Sequence, residues 1–142
     1  MKRYCLALDL VDDPALIAEY VDAIVHKHNP MKRYCLALDL VDDPALIAEY
    51  EQWHQPGAQL PGIPESIKEA GILQMEIYRT GNRLFMIMET SDAFDPSAKA
   101  TADAANPAVQ EWEQLMWKFQ QPLPWAAPGE KWVLMNQIFQ LT

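Results

Sequence analysis

The chain has 142 residues, half of them apolar and 22% charged, with a formal net charge of −9. That length suits one domain, and the balance excludes disordered, collagen-like and low-complexity classes. The acidic surplus argues against nucleic acid, whose phosphates need Lys and Arg, and against an anionic membrane surface, which leaves a small neutral ligand as the easier partner.

No apolar run reaches the ~18 residues of a membrane span. Asp9, Asp12 and Asp13 interrupt the first apolar stretch, so no signal peptide is legible and a cytoplasmic address is expected. Residues 1–20, MKRYCLALDLVDDPALIAEY, return letter for letter as residues 31–50, with VDAIVHKHNP between them. Solenoid arrays need three or more units, and natural repeats drift. The identity therefore points to an engineered or recent duplication. The chain divides into a duplicated strand-helix segment plus linker, 1–30, and a domain, 31–142. Cys5 and Cys35 are one residue met twice, so the domain has no disulfide framework. On a strand, such a cysteine reads as a small apolar residue, with a catalytic thiolate as the alternative. His26-Lys27-His28 reads as a solvated helix end, with weak metal binding as the alternative.

Within the domain, residues 32–41 alternate as a strand, with Tyr34, Leu36, Leu38 and Leu40 on one face and Cys35, Ala37 and Asp39 on the other. Asp43 and Pro44 are a cap and a first helical position, predicting a helix over 44–55 that Pro56-Gly57 stops. A structured loop follows, then a short helix over 64–70 ended by Gly71. Residues 72–79 and 83–90 form a hairpin around Thr80-Gly81-Asn82. Residues 91–105 are small and polar and read as a loop or weak helical turn. Asn106-Pro107 caps a helix over 107–121 with an apolar stripe of Val109, Trp112, Leu115, Met116 and Phe119. After a Pro-rich loop, residues 131–141 form the last strand.

The order β-α-β-β-α-β predicts an α+β, ferredoxin-like fold: an antiparallel four-stranded sheet with helices on one face. The other face, for which Phe85, Ile87 and Phe139 are candidates, needs a cover. A homodimer packing sheet on sheet, a dimeric α+β barrel, supplies it.

Tyr50 and His54 stand four residues apart, on one helical face. They serve either as core packing and a helix end or as a hydroxyl contact and an acid-base group. No His-x-x-x-His, Ser nucleophile elbow or phosphate-binding Gly loop occurs, so no metal site is expected. Trp112, Trp117, Phe119, Trp125 and Trp132 crowd the second long helix and the loop after it. They read as core, or as indole platforms for the apolar face of a sugar, with Trp117 beside Lys118 the favoured platform. Glu76 and Asp39 are acid-base candidates if they face the cavity.

In order and spacing, Tyr50-x-x-x-His54, the hairpin Ile77-Tyr78-Arg79-Thr80-Gly81-Asn82-Arg83-Leu84-Phe85, then Trp117-Lys118-Phe119 and the terminal Gln137-Ile138-Phe139-Gln140-Leu141 resemble the L-rhamnose mutarotase family over essentially all of 31–142. The resemblance implies a homodimeric α+β barrel and cofactor-free exchange of the anomers of a 6-deoxy-hexose. It implies His54 as the acid-base group and Tyr50 as a sugar contact, and Trp117 matches the second member of the family's Trp-Trp pair. Two substrate-contact positions depart: Met116 replaces the first Trp of that pair, and Met75 replaces a Tyr. The resemblance is therefore closer to the related L-fucose mutarotase branch. Mutarotation moves a proton from the anomeric hydroxyl and gives one to the ring oxygen. His54 is the expected donor, and the partner base stays open between Tyr50, a cavity carboxylate and water. A cofactor-independent monooxygenase and a non-catalytic dimeric binding module are the rival readings.

Overall fold

The computed structural model describes residues 31–142; the duplicated strand-helix segment, with Cys5 and His26-Lys27-His28, lies outside the described residues. From Lys32 onward the chain forms one compact unit. Its elements are β1 (Lys32–Leu40), α1 (Pro44–Trp53), α2 (Ile63–Glu69), β2 (Ile72–Thr80), β3 (Arg83–Thr90), α3 (Pro96–Ala105), α4 (Pro107–Trp117), β4 (Gln120–Gln121) and β5 (Val133–Leu134). The result is an α+β fold with an antiparallel sheet and four helices.

The strands stand in the order β2-β3-β1-β4, and β5 also pairs with β1. Every pairing is antiparallel. β3 occupies one edge of β1, and β4 and β5 share the other. Asp39 and Leu40 face Gln121 and Gln120, while Leu36 and Ala37 face Leu134 and Val133. The fourth strand position is thus filled by two short pieces of chain, with residues 122–132 looping out between them.

Side chains alternate across the pleat. Leu38 and Leu40 of β1, and Leu84, Met86, Met88 and Thr90 of β3, are buried. Their cross-strand partners Met75 and Ile77 of β2 share that face. Two apolar clusters form on it. Leu40, Tyr50, Leu84, Met116 and Phe119 make one; Ile72, Met88 and Phe94 make the other. The opposite face carries Cys35, Ala37 and Asp39 beside Ile87, Phe85 and Arg83. There the buried Asp39 carboxylate takes two hydrogen bonds from the Arg83 guanidinium, at 2.8 and 3.1 Å.

Local signals explain the ends of the elements. Asp43 caps α1 by accepting from the Ala45 and Leu46 amides, as its sequence predicts. Gly81, at φ +56°, supplies the positive φ that a two-residue hairpin turn needs. Gly71 follows α2 at φ +92°, and a Cβ there would stand 2.8 Å from Ser91 Oγ. Its carbonyl accepts from the Ser91 amide at 2.8 Å. Only glycine closes that approach without strain.

The structure corrects three expectations. Residues 96–105, read as a loop or weak turn, form the full helix α3. Asp95 caps it by accepting from the Ser97 amide, and Pro96 takes its first turn. The alanines that made the segment look featureless are the best helix formers. The helix expected over 107–121 ends at Trp117, because the chain from Phe119 to Gln121 is taken by the edge of β1: the Val41 amide donates to the Phe119 carbonyl at 2.8 Å.

The strand expected over 131–141 is a ladder only at Val133–Leu134, extended by the Met135 amide donating to the Cys35 carbonyl at 2.7 Å. Continuing that register would set Ile138 against Lys32, where β1 begins. Residues beyond it outrun the strand. Ile138, Phe139 and Leu141 are 96%, 74% and 85% exposed. Among the described residues no helix is long and apolar enough to cross a membrane.

Candidate active site

Between the apolar face of the sheet and the helices lies a cavity of about 710 Å³, within the ~300–1,000 Å³ range of small-molecule sites. Leu36, Ile77, Met86 and Met88 make its floor, Tyr50 and His54 enter from α1, and Trp112 and Met116 enter from α4. Gln59, Ser66, Gln74 and Gln120 add neutral polar groups, and Lys68, Lys99, Asp103, Glu113 and Lys131 add charged ones, with Asp103 paired to Lys99.

α1 ends at its functional residue. His54 is the C-cap, its amide donating to the carbonyls of the last turn. Its ring folds back so that Nδ1 lies 2.7 Å from the Tyr50 carbonyl oxygen. A carbonyl can only accept, so Nδ1 carries the hydrogen. In the neutral ring Nε2 is then the basic nitrogen. Burial pushes the His54 pKa below its usual 6.5, and the hydrogen bond to the Tyr50 backbone opposes this in part. At neutral pH the ring is a base.

The Tyr50 ring stacks obliquely on His54 at 4.2 Å between centroids. Trp112 meets His54 edge-on at 5.8 Å. Burial raises the Tyr50 phenol to about 12, against a hydrogen bond from the Gln120 side chain that lowers it. A phenol held that high stays protonated at neutral pH and offers a donor. Asp39 and Glu76 do not line the cavity. Asp39 faces Arg83 on the far side of the sheet, and Glu76 pairs with Ile87 on that same face, where it accepts from the Tyr78 hydroxyl at 2.7 Å.

Of the residues named from sequence, the cavity brings together His54, Tyr50, Met75 and Met116. Trp117 is not among its lining residues. Its indole is 42% exposed and lies under the Lys131 ammonium, 4.2 Å from the ring centroid. Trp117 thus meets the cavity only through Lys131, which lines it. The indoles on the wall are Trp112 and Trp132; Trp112 stands one turn before Met116 on the same helical face. That i, i+4 spacing was the available signal. Gln120 had none, because its neighbour Gln121 is the same residue type facing the other way. Among the described residues no three of His, Cys, Asp and Glu stand close enough to hold a metal ion.

The model of the L-rhamnose mutarotase family matches residues 33–141. The chain belongs to the L-rhamnose mutarotase family. Within this family's reach, it is 51% identical to an L-fucose mutarotase of Xanthomonas campestris pv. campestris over the whole of the chain and 90% of that protein. It is 36% identical to a UPF0734 protein of Dictyostelium discoideum over 99% of the chain and 90% of that protein. Both alignments run through nearly all of residues 1–30 as well. Among solved structures, an L-rhamnose mutarotase from Formosa agariphila superposes with a TM-score of 0.54 at 18% identity, covering 78% of this chain and 99% of its own. At that identity the likeness speaks for the fold.

Proposed function

We propose that this mutarotase interconverts the α and β anomers of L-fucose, with His54 as the group that moves the proton. The observation that carries the reading is the His54 ring, tied by Nδ1 to the Tyr50 carbonyl while it lines a cavity of ligand size. The identity to the Xanthomonas L-fucose mutarotase supports the choice of sugar, as do Met75 and Met116 at two contact positions.

The reaction asks for one proton to move. Nε2 takes the proton of the anomeric hydroxyl, the C1–O1 bond becomes a carbonyl, and the bond from C1 to the ring oxygen breaks. The ring oxygen receives the proton, which the same imidazolium can return because both oxygens sit on C1. Rotation about C1–C2 and the reverse steps close the other anomer. No electron changes hands. His54 is therefore base first and donor second, and no separate carboxylate is needed. Tyr50 donates a hydrogen bond to the sugar, and the Trp112 indole and the Met75 and Met116 side chains pack its apolar face. Saturation-transfer NMR on the two sugars in parallel tests this. Exchange on L-fucose faster than in buffer, and faster than on L-rhamnose, is expected. No acceleration of either sugar sinks the reading.

The working form is a homodimer, closed into an α+β barrel by a second copy on the far face of the sheet. That face holds the half-buried Phe85 and Ile87, and the exposed Ile138, Phe139 and Leu141 lie in the C-terminal tail beyond β5. Both are surfaces that water does not favour. Sedimentation of the full chain at micromolar concentration should give twice the chain mass; a monomer overturns the arrangement. The free thiol of Cys35 suits the reducing cytoplasm, where we place the enzyme.

A further inference from the structure

Gln120 is 8% exposed and lines the cavity. Its Oε1 is the one buried side-chain oxygen or nitrogen among the described residues without a hydrogen-bond partner. The position is imposed by the sheet: β4 pairs Gln120 with Leu40, and the pleat then turns its side chain to the same side as that buried leucine. A Leu or Met would fill such a place without penalty, whereas a carbonyl oxygen left unpaired in an apolar wall costs stability. The amide and the Tyr50 phenol share the same cavity wall. The phenol, kept protonated by burial, has its O–H to give. Side by side, the two residues present one donor and one acceptor, the complement of a hydroxyl group.

We propose that Gln120 is a specificity-determining residue, accepting a hydrogen bond at Oε1 from a ring hydroxyl of the sugar other than the anomeric one, while Tyr50 donates to the same hydroxyl. The inference rests on the sugar-site reading above and adds to it which residue reads the ring. Sites built to bond a hydroxyl reject analogues that lack it far more sharply than apolar pockets reject a missing methylene. A hydroxyl of the right sugar would pair that oxygen.

The test is a cycle on the full chain: wild type, Gln120→Met and Gln120→Glu against L-fucose and its 2-, 3- and 4-monodeoxy analogues. Binding is read by quenching of tryptophan fluorescence and exchange by saturation transfer. Wild type should bind one analogue about 10–100-fold more weakly than L-fucose. Gln120→Met should bind L-fucose more weakly by a similar factor and lose the discrimination, with KM raised more than kcat falls and the melting temperature not lowered. Gln120→Glu, which keeps an acceptor oxygen there, should keep the ranking. An equal penalty on every analogue, or a lowered melting temperature with unchanged sugar binding, makes Gln120 merely structural and overturns the inference. Binding with the expected discrimination but no exchange overturns the mutarotase reading and leaves the inference standing. No saturable binding of any of these sugars overturns both.

Discussion

His54→Gln is expected to slow anomer exchange by about 10²–10⁴-fold, the range general acid-base groups supply, while the melting temperature stays close to that of the parent. Glutamine is similar in reach, and its amide can still donate to the Tyr50 carbonyl that holds Nδ1 at 2.7 Å. What it lacks is a basic nitrogen. Saturation-transfer rates on L-fucose for the two proteins check this, and a variant within a few-fold of the parent would remove His54 from the reaction. The pH profile is the second signature. Burial lowers the pKa of the ring from 6.5, so the neutral base persists below the pH at which a free histidine would be lost. The acid limb of kcat/KM should therefore fall at a pH below 6.5 and vanish in His54→Gln. The same shift bears on stability. Between 6.5 and the lower folded pKa the unfolded chain binds more protons, so the contribution of this ring is complete above 6.5 and is lost as pH falls through the folded value.

Phe119→Ala should be the most costly single truncation in the domain. The side chain is fully buried and is the largest of those so enclosed. It packs with Leu40, Tyr50, Leu84 and Met116, and its ring meets Tyr50 edge-on at 6.0 Å. Truncation of a buried Phe costs ~3–5 kcal/mol from lost transfer energy and the cavity left behind. That is a large share of the ~5–15 kcal/mol by which a domain is stable. Urea unfolding of parent and variant checks it; a loss under 1 kcal/mol would mean that the pocket collapses around the gap. The backbone of Phe119 is engaged as well, accepting from Val41 at the edge of β1, so relaxation there is restrained. Because Tyr50 rests on this ring, the variant should also bind sugar more weakly even where it remains folded.

The sequence carried the parts of the fold that depend on local rules. Asp43-Pro44, Asn106-Pro107 and the Gly81 turn each act within a few residues of themselves, and each stands where its chemistry demands. The elements misjudged were those decided at a distance. Residues 119–121 have helical neighbours, yet the free edge of β1 draws them into its ladder. Residues 135–141 alternate like a strand, but the ladder stops at Leu134 and from Phe139 onward they run past the end of the strand they would pair with. The site divides in the same way. Tyr50 and His54 were legible because one helix fixes their spacing. The choice between Trp112 and Trp117 depends on which side of α4 faces the cavity, and a shift of one residue on a helix is a turn of about 100°. Asp39 and Glu76 needed the strand faces, and Gln120 needed the whole sheet.

The partner that fixes the tautomer of His54 belongs to the main chain. Every amino acid has a carbonyl, so any residue placed at position 50 would hold Nδ1 as Tyr50 does, provided that the last turn of α1 stays helical. Proton chemistry and substrate choice are thereby written in separate parts of the same residue, the backbone for one and the ring for the other. The side chains around the base, residue 50 among them, are free to diverge toward other sugars while the reaction itself is inherited unchanged.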